Sequence, residues 1–339
     1  MNISDYADYY PLFSRYGMNS TAVHELIVRW REPHRFYHNE MHLQFLLEAI
    51  EKLHAQGQVS DTQKDCLLMT AFFHDAIYDP ASGENEEASA KLFTELTNGV
   101  EDSEAVVQMI LDTKTHMPKS DLSKVFSGLD MSVVTDSDFE ALLTWERGIA
   151  REYQFVDYSL YKIGRISFLE HCIEAFPQNK TNLQNLVAYL KQHKPRIGIY
   201  AGSFNPFHHG HLNILEKAER IFDKIIVARG INPEKDNLLT NKRPTGVLKY
   251  RQVEGFSGLL TDYITSKEEH ADITLIRGLR NGDDLAYEVN QQRFMEDMKP
   301  NLKVVFIRCD MQFEHISSSA IRNLEKISKG LGDKYVPIE

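Results

Sequence analysis

The hydrophobic pattern changes character once, at Lys191-Gln192-His193-Lys194-Pro195, and this change limits the possible folds more than any other feature. Before it, from about residue 20 to 192, apolar positions recur at helical spacing, as in Leu43, Leu46, Leu47 and Ile50, and again in Leu67, Leu68, Ala71 and Phe72. Strand-like alternation is scarce there. Breakers at Pro80, Ser82 and Gly83, at residues 117–120 and at residues 177–180 divide the stretch into several helices. After the hinge, short β-rich runs at residues 197–200, 224–228, 272–276 and 303–307 alternate with helical patterns, the layout of βαβ units around a parallel sheet. At 339 residues the chain exceeds what one hydrophobic core usually fills. The expected fold is therefore multidomain, with an all-α domain over residues 1–194 and an α/β domain with a parallel sheet over residues 195–339.

Charge and composition narrow the partners. The net charge of −11 comes without clustered Lys and Arg, which argues against nucleic acid. Only Cys66, Cys172 and Cys309 occur, far apart, so neither a disulfide framework nor a zinc–thiolate site is expected. The opening MNISDYADYYPLF lacks a basic region before an apolar one, and no run approaches 18 apolar residues. The expectation is a cytoplasmic protein with no membrane partner.

The stretch AGSFNPFHHGH, residues 201–211, connects an apolar strand to a helix that begins near Gly210 or His211. In an open α/β sheet, ligands bind at the carboxyl ends of strands, and a helix N-terminus offers unpaired N–H groups to an anion. Gly202 and Gly210 would let backbone approach a phosphate. A zinc site and an ordinary loop are the competing uses of its histidines.

This loop resembles the (T/H)-x-G-H signature of the nucleotidyltransferase superfamily, with His208 and His211 at the two signature positions. The stretch HISSSAIR, residues 315–322, resembles the superfamily's second motif, and RGLRNGDDLAYE, residues 277–288, resembles the R-G-L-R-x-x-x-D-x-x-Y-E segment of the phosphopantetheine adenylyltransferase family. The resemblance covers about residues 196–335 and implies a Rossmann-like fold that uses Mg²⁺ with ATP and a phosphorylated small-molecule acceptor. It implies catalytic roles for Ser203, Lys235 and His211, with His208, Gly210, Arg277, Gly278, Arg280, Glu288, Ser317, Ser318, Ser319 and Arg322 around the nucleotide and substrate. It also implies self-association. Asn205 and His208 stand where this family commonly has Asp and Thr. Both choices occur in relatives that adenylate nicotinamide mononucleotide, which makes that nucleotide, or another phosphorylated metabolite, the alternative acceptor.

The first half holds a different set: YHNEMH at residues 37–42, FFHD at 72–75, DPASGENEEASA at 79–90, TKTH at 113–116 and GLD at 128–130. On a helix His38 and His42 would share a face, and His74-Asp75 interrupts an apolar run. Over about residues 28–160 this order resembles the HD superfamily of metal-dependent phosphohydrolases. The resemblance implies that His42 (or His38), His74, Asp75 and Asp130 ligate Mn²⁺, Mg²⁺, Fe²⁺, Co²⁺ or Ni²⁺. Around them, His38, Glu84, Asn85, Glu86 and His116 are expected to orient ligands or touch substrate. A non-catalytic, regulatory HD fold within a nucleotide-binding protein is the competing reading.

Overall fold

The computed structural model describes residues 3–231 and 246–337. Helices α1 (Tyr10–Arg15), α2 (Ser20–Arg29), α3 (Glu40–Ala55), α4 (Asp61–Phe73), α5 (Asn85–Leu96), α6 (Ser103–Thr113), α7 (Asp121–Asp130), α8 (Ser132–Asp136), α9 (Phe139–Glu152), α10 (Tyr158–Ala175) and α11 (Lys180–Gln192) occupy the first part. Side-chain caps fix several starts. Asn19 accepts the Ala22 N–H, Asn39 accepts the Met41 N–H, and Ser60 with Gln63 forms a capping box. α4 is buried from Cys66 through Phe73, and its Phe72 and Phe73 join Trp30, Leu43, Leu46, Ile50, Phe93 and Phe126 in one core. A helix apolar on all sides belongs at the centre of its bundle.

The second part contains β1 (Arg196–Gly202), α12 (His209–Ala218), β2 (Lys224–Gly230), β3 (Gln252–Phe256), α13 (Leu260–Lys267), β4 (Asp272–Leu279), α14 (Gly282–Met298), β5 (Val304–Arg308) and α15 (Ser318–Ile327). The strands form one parallel sheet in the order β3-β2-β1-β4-β5. Ile197, Ile199, Ile226, Ile273 and Leu275 fill the core on one face, while Tyr200, Ile225, Val227, Ile276 and Ile307 meet Ile214, Leu215 and Ala218 of α12 on the other. Burial on both faces is why these strands read as unbroken apolar runs. β3 does not read that way, because QVEGF carries Gln252, Glu254 and Gly255. It is an edge strand whose polar side chains are engaged, Gln252 by Asp157 and Glu254 by Tyr263 and Lys267.

Two compact units result, Met1–Glu152 with Ser167–Ala188, and Tyr153–Ile166 with Tyr189–Glu339. The sheet-bearing unit thus includes a segment outside residues 195–339. Contacts within that unit explain its membership. Tyr158 packs against the core under the sheet, Lys224 Nζ donates to the Gln154 carbonyl, and Asp157 Oδ2 accepts from Lys267 Nζ at 3.0 Å and Gln252 Nε2 at 3.3 Å. Among the described residues no helix is long and apolar enough to cross a membrane.

Candidate functional site

In the first unit, His42 from the first turn of α3, His74 at the C-cap of α4 and Asp130 at the end of α7 present ligand atoms that all lie within 4.8 Å of one another. His42 Nε2 lies 3.1 Å and His74 Nε2 3.8 Å from Asp130 Oδ1. His74 Nδ1 donates to the Ala71 carbonyl at 3.0 Å, which leaves the Nε2 lone pair facing the cluster. Both Nε2 atoms are buried without a hydrogen-bond partner. Asp130 adds a carboxylate at a helix C-terminus, where the dipole disfavours negative charge. A divalent cation would satisfy this N/O donor set. Asp75 reaches His74 Nε2 at 3.2 Å but is not one of the three converging residues.

His38 does not share a helical face with His42. Asn39 is the N-cap of α3, so His38 lies on the loop before it, its ring centred 6.2 Å from the His42 ring. That loop is held by a residue the motifs did not point to. Glu152 Oε1 accepts the backbone N–H groups of Phe36, Tyr37 and His38 at 2.8, 2.7 and 2.9 Å, while Oε2 accepts from Tyr78 Oη and His38 Nδ1, each at 2.7 Å. A readable signal existed, since Glu152 continues the apolar stripe Leu142, Trp145 and Ile149 of α9. Arg35, likewise missed, is buried and donates to the carbonyls of His38, Asp75 and Ala76.

The residues at 84–86 divide their work. Asn85 accepts from the Asp79 N–H and donates to the Asp79 carbonyl, each at 2.9 Å, which closes the loop after His74-Asp75. Glu86 is half-buried, its acid pushed up by burial and by the Asp75 charge, whereas Glu84 is exposed. His116 lines a separate cavity of ≈ 500 Å³ with Lys124, Ser127, Gly128, Met131 and Phe176.

In the second unit, β1 and β4 lie side by side where the strand order reverses, and their carboxyl ends flank the N-terminus of α12. α12 starts at His209, and its cap is made of two imidazoles. His208 Nδ1 accepts the His211 N–H at 3.3 Å, His211 Nδ1 accepts the His208 N–H at 3.2 Å, and the rings stack with centroids 3.6 Å apart. Because both Nδ1 atoms accept, the neutral rings carry their protons on Nε2. Burial lowers His208 to about 4, assisted by Arg280, and lowers His211 to about 3, assisted by His208 and Arg280. Each ring therefore offers one neutral N–H donor at physiological pH.

A pH dependence follows from these lowered values. Between about 6.5, the ordinary imidazole value, and about 4, the unfolded chain binds more protons at these positions than the folded one. The melting temperature of the second unit is expected to fall as the pH drops from 7 to 5. Calorimetric scans should show that slope reduced in His208→Gln/His211→Gln.

The arginines are held by carboxylates. Arg277 Nε and Nη2 meet Glu288 Oε2 and Oε1 at 2.5 and 2.8 Å, and Arg280 Nε and Nη2 meet Asp284 Oδ2 and Oδ1 at 2.9 and 2.8 Å. Ser317 caps α15 by accepting the Ala320 N–H at 3.1 Å. Ser318 Oγ donates to the Pro206 carbonyl at 3.0 Å, and Arg322 donates to the Asn205 carbonyl and to Ser319 Oγ, tying α15 to the histidine loop. The glycines serve this packing. A Cβ at Gly210 would lie 3.1 Å from the His208 ring, one at Gly202 3.0 Å from the Phe204 ring, and one at Gly278 2.6 Å from Ile214 Cδ1. Ser203 is exposed on the loop, and Lys235 lies outside the described residues.

A parallel sheet with a histidine-capped helix, paired arginines and a second helix N-terminus at its switch point defines an α/β nucleotide-site class. Residues 199–324 match the cytidylyltransferase-like family model. The chain is 35% identical over 144 residues to the phosphopantetheine adenylyltransferase of Syntrophomonas wolfei, spanning 40% of this chain and 88% of that protein. The enzymes of that name from Clostridium botulinum and Actinobacillus pleuropneumoniae are 34% and 33% identical, over 38% and 41% of this chain and 81% and 90% of theirs. Through its sheet-bearing part the chain belongs to the phosphopantetheine adenylyltransferase family.

Proposed function

We propose that the chain is a bifunctional enzyme. Its second unit transfers AMP from Mg²⁺-bound ATP to 4′-phosphopantetheine, and its first unit is a metal-dependent phosphohydrolase. The observation that carries the first activity is the meeting of two Nε2–H donors, two arginines and the α15 N-terminus at the β1/β4 switch point in a member of this family. An acceptor phosphate oxygen attacks the α-phosphorus of ATP, the bond to the β-phosphate oxygen breaks, and pyrophosphate leaves. No covalent enzyme intermediate is needed, so positioning and charge stabilisation do the work. His208 and His211 donate to phosphate oxygens as charge builds on them. Arg277, Arg280 and residues 317–319 hold the phosphate chain, and Lys235 is assigned the neutralising charge its family position implies. Asn205 favours nicotinamide mononucleotide as a second acceptor. Pyrophosphate release from ATP with each acceptor separates the two.

The hydrolase reading rests on the buried Nε2 atoms of His42 and His74 converging on the Asp130 carboxylate. A cation held there, with Asp75 beside it, supplies the Lewis acidity that makes water a nucleophile at neutral pH. The chain's own residues keep the site in register, Glu152 and Arg35 by fixing the loop of His38. At a Mn²⁺ concentration 100 times Kd, the first unit should gain about 2.7 kcal/mol of stability. Asp130→Asn should remove that gain in a thermal melt, and an equal gain in both proteins would contradict the site.

A further inference from the structure

α7 turns three faces to three different surroundings. Leu122, Val125, Phe126 and Leu129 pack into the core of the first unit, and Asp130 meets His42 and His74. Lys124, Ser127, Gly128 and Met131, at i, i+3, i+4 and i+7, share a third face, and they line the ≈ 500 Å³ cavity that His116 and Phe176 also line. Small-molecule sites run roughly from 300 to 1,000 Å³. Two residues on this cavity are not explained by the fold alone. Gly128 sits inside a helix, where glycine is a poor former, yet its φ is not positive and a Cβ added there meets no atom within 4 Å. Neither backbone nor packing asks for glycine, whereas close approach of a ligand to α7 does. His116 has a φ of 49°, a left-handed conformation that is costly for a residue with a Cβ and recurs at ligand sites.

The lining defines the chemistry of such a ligand. Lys124 and His116 offer N–H donors to a phosphate, and the pairing of Lys124 with Asp121 at 2.8 Å is an exposed one that exchanges readily. Phe176 and Met131 offer a surface to a planar base. Asp136, whose Oδ2 accepts from Thr135 Oγ1 at 2.7 Å, offers a carboxylate to sugar hydroxyls. We propose that this cavity is a binding site for a nucleoside monophosphate, distinct from the cluster of His42, His74 and Asp130. Lys124 and Asp130 are six residues apart on α7, about 9 Å of helix rise, which sets a phosphate held at Lys124 away from that cluster. The site stands or falls independently of both proposed activities, and it gives His116 a ligand other than the hydrolase substrate.

The test is photo-crosslinking of the full chain with 8-azidoadenosine 5′-monophosphate. Mapping the labelled peptides by mass spectrometry tells this cavity from any nucleotide site in the second unit. Saturable labelling is expected within residues 116–136 or 176–178, suppressed by AMP, and by adenosine or inorganic phosphate only at concentrations about tenfold higher. Gly128→Leu puts a side chain into the cavity and suits a helix, so it should melt no lower than wild type and weaken labelling here about tenfold, with labelling of the second unit unchanged. Gly164→Leu, at a helix glycine with the same open surroundings that does not line the cavity, should label like wild type. Lys124→Gln, an exposed substitution, keeps the test decisive if Gly128→Leu fails to fold, and should weaken labelling about fivefold. No saturable labelling at these residues, or labelling that Gly128→Leu and Lys124→Gln leave unchanged, overturns the proposal. Competition by inorganic phosphate as strong as by AMP overturns the nucleotide assignment and leaves an anion site.

Discussion

His211→Ala is expected to lower kcat for pyrophosphate release from ATP by a factor on the order of 10²–10³, the usual cost of removing one preorganised donor to a developing charge. The position has two jobs that the variant separates. Its Nδ1 caps α12 by accepting the His208 N–H, and its Nε2–H is the donor that the proposed mechanism assigns to the substrate phosphates. Loss of a cap costs roughly 1 kcal/mol of stability, which leaves the domain folded. His211→Asn keeps a side-chain acceptor for the cap but not the imidazole donor, so it should melt close to wild type and be nearly as slow as the alanine variant. Near-normal kcat in His211→Ala, measured with saturating ATP and acceptor, would remove the histidine from the mechanism.

Glu152→Ala should cost the first unit about 3–5 kcal/mol, because it strips the partner from a buried cluster of donors. Three backbone N–H groups, the Tyr78 hydroxyl and His38 Nδ1 all depend on this carboxylate, which is itself held down to about 2 by His38, Tyr78 and the backbone against the effect of burial. Glu152→Gln keeps an acceptor for the backbone groups and should lose less. The carboxylate's lowered value means its contribution is present above about pH 4.5 and is lost as the pH falls toward 2. Urea titration of both variants at pH 7 measures the difference. A loss below 1 kcal/mol in the alanine variant would show that the loop of His38 is held by something else.

What could be read from the sequence follows from how strongly burial dictates composition. β1, β2, β4 and β5 are legible because each carries an unbroken apolar run, whereas β3 hides in QVEGF, whose Gln252 and Glu254 are engaged by Asp157, Tyr263 and Lys267. No local pattern says that residues 153–166 belong to the sheet-bearing unit, because what holds them there, Lys224, Lys267 and Gln252, lies far along the chain. Chemistry-bearing motifs gave His42, His74, Asp130, His208, His211, Arg277 and Arg280. They did not give the residues that aim them. Arg35 and Glu152 act on backbone, and a backbone contact leaves no motif. Only a charge in an apolar stripe marks Glu152. The placement of His38 before the helix is likewise hidden, since Asn39 starts the helix by a cap that overrides the helical spacing of His38 and His42.

The central claim is that the acceptor phosphate attacks the α-phosphorus of ATP, and ATP labelled at the α-phosphate tests it most directly. Incubation of the full chain with this ATP, Mg²⁺ and 4′-phosphopantetheine should move the label into dephospho-coenzyme A, with one pyrophosphate released per label transferred. Label found only in ATP or free AMP, with 4′-phosphopantetheine and nicotinamide mononucleotide both unmodified, would contradict it.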